Sequence, residues 1–112
     1  MLRFKKKYVI HIGGFVAMAV DPNEAYLLVV THAGRGVFEL ASGKRIARDA
    51  SVLYPSNGCI LGIGPFSGQN VSVVEYDFET PCELVTQSNQ YRIVAESSEI
   101  YVYQRRLTRC WK

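Results

Sequence analysis

Phe15-Val16-Ala17-Met18-Ala19-Val20 runs into Asp21-Pro22-Asn23, and a second apolar run, Ala25 to Thr31, follows at once. Ala33-Gly34 closes that run. Gly36-Val37-Phe38-Glu39-Leu40 comes next, Ser42-Gly43 interrupts, and Lys44-Arg45-Ile46-Ala47-Arg48 completes the series. Short β-rich runs punctuated by Gly, Pro and Asn at this spacing predict strands joined by tight turns. Phe15 to Asp49 therefore reads as one four-strand antiparallel unit. It decides the fold class, all-β, and brings no catalytic or ligand motif with it.

Outward from this unit the style persists. Ser51-Val52-Leu53-Tyr54 leads to the turn Pro55-Ser56-Asn57-Gly58, and Cys59-Ile60-Leu61-Gly62-Ile63 reads as a short strand. Gly64-Pro65-Phe66-Ser67-Gly68 reads as a loop and Val71 to Phe78 as a strand, with Thr80-Pro81 as a break. Cys82 to Thr86, Tyr91 to Ala95 and Ile100 to Gln104 then form a meander with turns at Ser88-Asn89-Gln90 and Ser97-Ser98. About nine or ten short strands is an ordinary number for a sandwich or a partly open barrel. No segment sustains the helical period.

Phe15 to Val20 and Leu27 to Val30 are apolar on both faces, which in an antiparallel protein means a strand between packed layers or against a partner. The meander is different. Tyr91, Ile93 and Ala95 alternate with Arg92, Val94 and Glu96, and Tyr101 and Tyr103 alternate with Ile100 and Val102. That pattern predicts one core face and one wetter face carrying tyrosines. The expected core includes Val16, Met18, Leu28, Val30, Val37, Phe38, Ile60, Val73 and Ile93.

The 112 residues, 48% of them hydrophobic, suit a single domain with one core. No apolar run approaches the ~20 residues of a membrane span. Lys5, Lys6 and Lys7 before an apolar stretch, with Ala17-Met18-Ala19 after it, resemble a secretory leader. His11, Gly13 and Gly14 interrupt that stretch, and its second half is the first strand of the unit above, so it reads as structure. Cys59, Cys82 and Cys110 are odd in number and widely spaced, which suits a reducing compartment and no intrachain disulfide. The expected location is the cytoplasm.

The net charge of +3 hides a segregation. Arg3, Lys5, Lys6 and Lys7 lie at one end of the chain, and Arg105, Arg106, Arg109 and Lys112 at the other. They are expected in short basic tails at about residues 1–7 and 105–112. The body between them is acidic, with five cations against ten carboxylates. From Glu75 to Glu99, Arg92 is the lone cation among six carboxylates.

Searched for chemistry, the sequence offers little. His11 and His32 are the only histidines and no C-x-x-C occurs, so no metal site is expected. Thr31 beside His32 lacks the surroundings of a nucleophile elbow. Gly62 to Gly68 has its third glycine out of place for a phosphate loop, and Pro65 removes a backbone donor. No catalytic residue, cofactor or metal is assigned, and the chain is not expected to be an enzyme. Basic residues interleaved with Phe4, Tyr8 and Trp111 are what a single-strand nucleic-acid binder uses. The acidic body weighs against that partner, because it repels a polyanion from most of the surface.

Two resemblances bear on this reading. Val20-Asp21-Pro22-Asn23-Glu24-Ala25-Tyr26-Leu27-Leu28, then Gly36-Val37-Phe38-Glu39-Leu40, then Ser42-Gly43-Lys44, resembles a β-propeller blade, with a looser copy from Leu53 through Phe78. A closed propeller needs about four blades of roughly 40 residues, more than this chain holds, so the resemblance implies blade-like meanders packed as a sandwich or partly open barrel. Gly34-Arg35-Gly36-Val37-Phe38, Arg45-Ile46-Ala47-Arg48-Asp49, Tyr54-Pro55-Ser56-Asn57-Gly58 and Gly62-Ile63-Gly64-Pro65 resemble small single-domain bacterial proteins. Some of those are similar to immunity proteins of polymorphic toxin and contact-dependent growth inhibition systems.

Tyrosines on a β surface are recognition residues, and clustered carboxylates steer a basic partner into place. Toxic nucleases are basic because their substrate is a polyanion. The expectation is therefore a protein-binding inhibitor of a basic toxin domain, with Glu75, Asp77, Glu79 and Glu83 as its contacts. A nucleic-acid-binding or scaffold module that uses the basic termini is the alternative.

Overall fold

The computed structural model describes residues 3–52, 63–66, 71, 73–80 and 82–106. Nine strands run through them: β1 (Phe4–His11), β2 (Phe15–Val20), β3 (Tyr26–Thr31), β4 (Gly34–Glu39), β5 (Arg45–Asp49), β6 (Val73–Glu75), β7 (Cys82–Val85), β8 (Tyr91–Ala95) and β9 (Glu99–Arg105). A single 3-10 turn, Gly64–Phe66, is the only helical element among the described residues. The strands form two antiparallel sheets, one ordered β1-β9-β8-β7 and the other β5-β4-β3-β2-β6, packed as a sandwich. The all-β expectation is met, and the sandwich is the form it takes.

The unit Phe15 to Asp49 is a meander of four neighbouring strands, each within two residues of its expected bounds. Its apolar strands are buried on both faces. Met18, Leu27 and Val29 face the four-stranded sheet, where Ile10, Tyr91, Ile93, Ile100 and Val102 meet them. Ala17, Ala19, Leu28, Val30 and Val37 face the other way, and Ile63 and Phe66 cover them. The segment read as a loop thus turns a fully buried Phe66 inward as the plug of a second core. That plug explains why β2 and β3 need no polar face.

Two bulges set which side chains reach the main core. The β2–β3 register shifts between Phe15 and Ala17, so Phe15 joins the inner cluster while Val16 and Ala17 both lie on the outer side. In β1 the shift falls between Lys6 and Tyr8. Lys6 lies opposite Tyr103 on the solvent side, and Tyr8, one residue past the bulge, packs inward. An unbroken strand would send both the same way.

Tyr8 ties the sheets together. Its hydroxyl donates to the Leu40 carbonyl at 2.7 Å. Its ring lies against Gly43, where φ is +76° and an added Cβ would come within 2.9 Å of the ring. Both facts require glycine in the Ser42-Gly43 turn. A second tie is Cys82, a buried free thiol of β7 whose Sγ donates to the Glu75 carbonyl of β6 at 3.0 Å.

Several expectations are corrected. Lys5, Lys6 and Lys7, assigned to a flanking tail, lie within β1, and Arg105 lies within β9. Three consecutive lysines show no apolar face, so only their backbone pairing with β9 reveals a strand. Of the residues expected in the core, Met18, Leu28, Val30, Val37 and Ile93 are buried, and Val16, Phe38 and Val73 are half-buried and packed against it. Ile60, Cys59, Cys110 and most of the second blade-like copy lie outside the described residues. Within the described part of that copy, β6 pairs with β2 and extends the five-stranded sheet instead of starting a second blade.

Candidate functional site

The strand expected from Val71 to Phe78 stops at Glu75, and the loop Tyr76 to Thr80 follows. Asp77 ends it. Its Oδ1 accepts the Glu79 N–H at 2.9 Å and its Oδ2 accepts the Thr80 hydroxyl at 2.9 Å, an Asx turn that competes with the sheet ladder. These two bonds hold its carboxyl below the usual carboxylate range. Glu75, Asp77 and Glu79 therefore do not share one face of a regular strand. Glu75 closes β6, Asp77 holds the turn, and Glu79 follows within it.

Sequence reasoning missed the residue at the centre of this loop. Phe78 is 91% exposed. Tyr76, 43% exposed, sets its ring edge-on to Phe78 with centroids 5.1 Å apart. Aromatic and acidic residues alternate through Glu75-Tyr76-Asp77-Phe78-Glu79, and this alternation was the available signal. It reads as an ordinary strand until Asp77 is seen to break the ladder. A shallow cleft beside the loop is lined by Cys82, Ala95 and Glu96, so a further carboxylate borders it.

Glu83 stands apart. It lies on the solvent face of β7, where its carboxylate pairs with Arg92 of β8. Arg92 in turn sits over the Tyr103 ring, 5.3 Å from its centroid. Lys6 sits over Tyr101 at 5.4 Å, and the Tyr101 hydroxyl donates to Glu99 at 2.7 Å. That hydrogen bond, with burial and the nearby carboxylates, raises the Tyr101 phenol to about 12. The solvent face of the four-stranded sheet therefore carries Tyr101 and Tyr103, as the alternation predicted, each with a cation over it.

The histidines occupy plain positions. His32 is exposed in the β3–β4 turn with its ring against Gly14. The adjacent Thr31 hydroxyl donates to the Gly34 carbonyl and accepts the Ala33 N–H, so it is engaged in the turn. His11 lies 3.4 Å from Glu99 on the neighbouring strand. No group of three or more His, Cys, Asp or Glu able to hold a metal occurs among the described residues. No described helix is long and apolar enough to cross a membrane.

No family model, curated protein or solved structure matches this chain.

Proposed function

We propose that this protein is a binding module for a basic protein domain, an inhibitor of the immunity type, and that the loop Glu75 to Thr80 is its contact. One observation carries the reading: a nearly fully exposed phenylalanine, braced by Tyr76, stands among carboxylates on a turn that Asp77 holds in shape. An exposed aromatic ring is costly to leave in water, and burying it in a partner's pocket contributes about 1.5–3 kcal/mol. Aromatic anchors of this kind dominate interface energetics. Glu75 and Glu79 steer the encounter with a cationic surface, and Asp77 acts by keeping the loop ordered before binding. Glu83, occupied by Arg92, belongs to the neighbouring sheet face and is a secondary contact. A bacterial cytoplasm, where a toxin of nuclease type would have to be neutralised, is the setting this reading requires.

The test is coexpression with the protein domain encoded by the gene directly upstream, scoring growth and co-purification. The parent chain should rescue growth and co-purify, and Phe78→Ala should lose both while remaining folded. Glu75→Lys with Glu79→Lys should slow association and make it less dependent on salt. A Phe78→Ala chain that protects and co-purifies as well as the parent would remove the reading, as would the lack of any complex with the parent.

A further inference from the structure

The basic residues at the two ends of the chain, separated by a hundred positions in sequence, form one cluster in the fold. β1 and β9 pair so that Phe4 lies opposite Arg105, Lys5 opposite Gln104 and Lys6 opposite Tyr103. The Arg106 N–H donates to the Arg3 carbonyl at 2.7 Å, and Lys7 Nζ donates to Gln104 Oε1 at 3.1 Å. Lys5, Lys6, Lys7, Arg105 and Arg106 line one shallow depression together with Gln90 and Gln104. None of these cations is in an ion pair among the described residues. Glu24, beside the same β7–β8 turn, is bonded to the Ser88 N–H and hydroxyl.

The carboxylates of the acidic body are concentrated away from this cluster. Glu99 and Arg105 are the two ends of β9, about 20 Å apart at the usual rise per residue. Glu96 and the loop carrying Asp77 and Glu79 lie beyond the Glu99 end. Acid and base are thus at opposite ends of the four-stranded sheet, and a polyanion approaching the basic end meets an attractive local field.

The depression wraps the end of β1: Lys5 and Gln104 lie toward the core side of the sheet, and Lys6 and Arg105 lie on the solvent side, where aromatic rings continue from the cluster. Tyr103 follows directly between Lys6 and Arg92 in register, and Tyr101 lies two residues further along β9. Phe4 falls on the same face as Lys6, two residues earlier in β1 with no bulge between them. Backbone-tracking cations beside a row of flat rings are the arrangement that binds single strands, with phosphates on the cations and bases stacked on the rings. We propose that this end of the four-stranded sheet is a binding site for single-stranded nucleic acid, with Lys5, Lys7, Arg105 and Arg106 on phosphates and Tyr103 under a base. A base arriving here joins or displaces the Arg92 guanidinium over that ring. The site is separate from the loop at Phe78 and does not depend on it.

The experiment is fluorescence anisotropy of a labelled oligothymidylate of about 15 nucleotides with the full chain at low salt. Binding should saturate and weaken with salt, with a log–log slope of about −3 for four phosphate contacts on a single strand. Lys5→Glu with Arg106→Glu should weaken it at least about a hundredfold, and Tyr103→Ala about tenfold. Tyr103→Phe should bind like the parent, and so should Phe78→Ala. Far-UV circular dichroism checks that each variant keeps its strands. Unchanged affinity in Tyr103→Ala would reduce the site to a phosphate-only polyanion patch and overturn the proposal. Lack of saturable binding at low salt, or equal weakening by Phe78→Ala, would overturn it too.

Discussion

Asp21 and Thr86 perform the same task at the same position of two turns in different sheets. Asp21 Oδ1 accepts the N–H groups of Ala25 and Tyr26, four and five residues on, at 2.8 and 2.7 Å. Thr86 Oγ1 accepts those of Gln90 and Tyr91, at the same offsets, both at 3.1 Å. In each turn the third residue after the cap has positive φ, +57° at Glu24 and +61° at Asn89. The caps are 6% and 5% exposed. The two turns also bind each other, since Glu24 accepts from the Ser88 N–H and hydroxyl. A buried oxygen in each hairpin thus satisfies backbone donors that the ladder leaves open, and the pair links the sheets.

Removing either cap leaves buried N–H groups unpaired. Asp21→Ala should cost about 2–3 kcal/mol and Thr86→Ala about 1–2, read by urea unfolding, because bonds to a charged acceptor are the stronger. Equal and negligible losses would show that water replaces both caps.

Phe66→Ala should cost about 3–5 kcal/mol, the usual loss for a fully buried phenylalanine. It should also expose the outer face of β2 and β3, increasing binding of a hydrophobic dye. A loss under about 1 kcal/mol would mean that the second core forms without its plug.

The phenols give an alkaline limit. Burial, then the charges of Tyr91 and Glu39, raises the Tyr8 pKa above its ordinary 10.0, and burial raises that of Tyr91. A raised folded pKa means stability that is complete below pH 10 and is lost as pH climbs above it. Stability should therefore fall above pH 10. Tyr8→Phe should flatten that fall while losing about 1 kcal/mol at neutral pH with the bond to Leu40. An unchanged alkaline slope in Tyr8→Phe would exclude Tyr8 as its source.

Gly43→Ala meets both a left-handed backbone and the Tyr8 ring. It should destabilise by about 1–3 kcal/mol. Pairing it with Tyr8→Ala should recover part of that loss in a double-mutant cycle, the strained backbone remaining. Strict additivity would contradict the contact.

Asp77→Ala should leave global stability nearly unchanged, since the loop is exposed, yet weaken partner binding about as much as Glu79→Lys. In the free protein, the bonds that lower the Asp77 pKa are lost as pH falls below its unfolded value of 3.8. Protease cleavage within the loop should rise over that acid range and already be high in Asp77→Ala at neutral pH. Resistance in the variant would show that the turn holds its shape without Asp77.

Period-two alternation in Tyr91 to Ala95 and Ile100 to Gln104, and turn residues at Asp21-Pro22-Asn23 and Ser42-Gly43, were enough to define strands and hairpins. These features are local: side chains alternate across a strand, and tight turns admit few residue types. Local pattern could not reveal that Lys5 to Lys7 form a strand, because their partner is β9 at the far end of the chain. Nor could it show Phe66 as a plug, or the bulges at Val16 and Lys7 that choose which ring enters the core. The acidic cluster was legible as charge. Its exposed Phe78 was not, because exposure depends on where Asp77 ends the ladder. Only the pairing of distant segments decided those points, since burial and charge proximity belong to contacts in space.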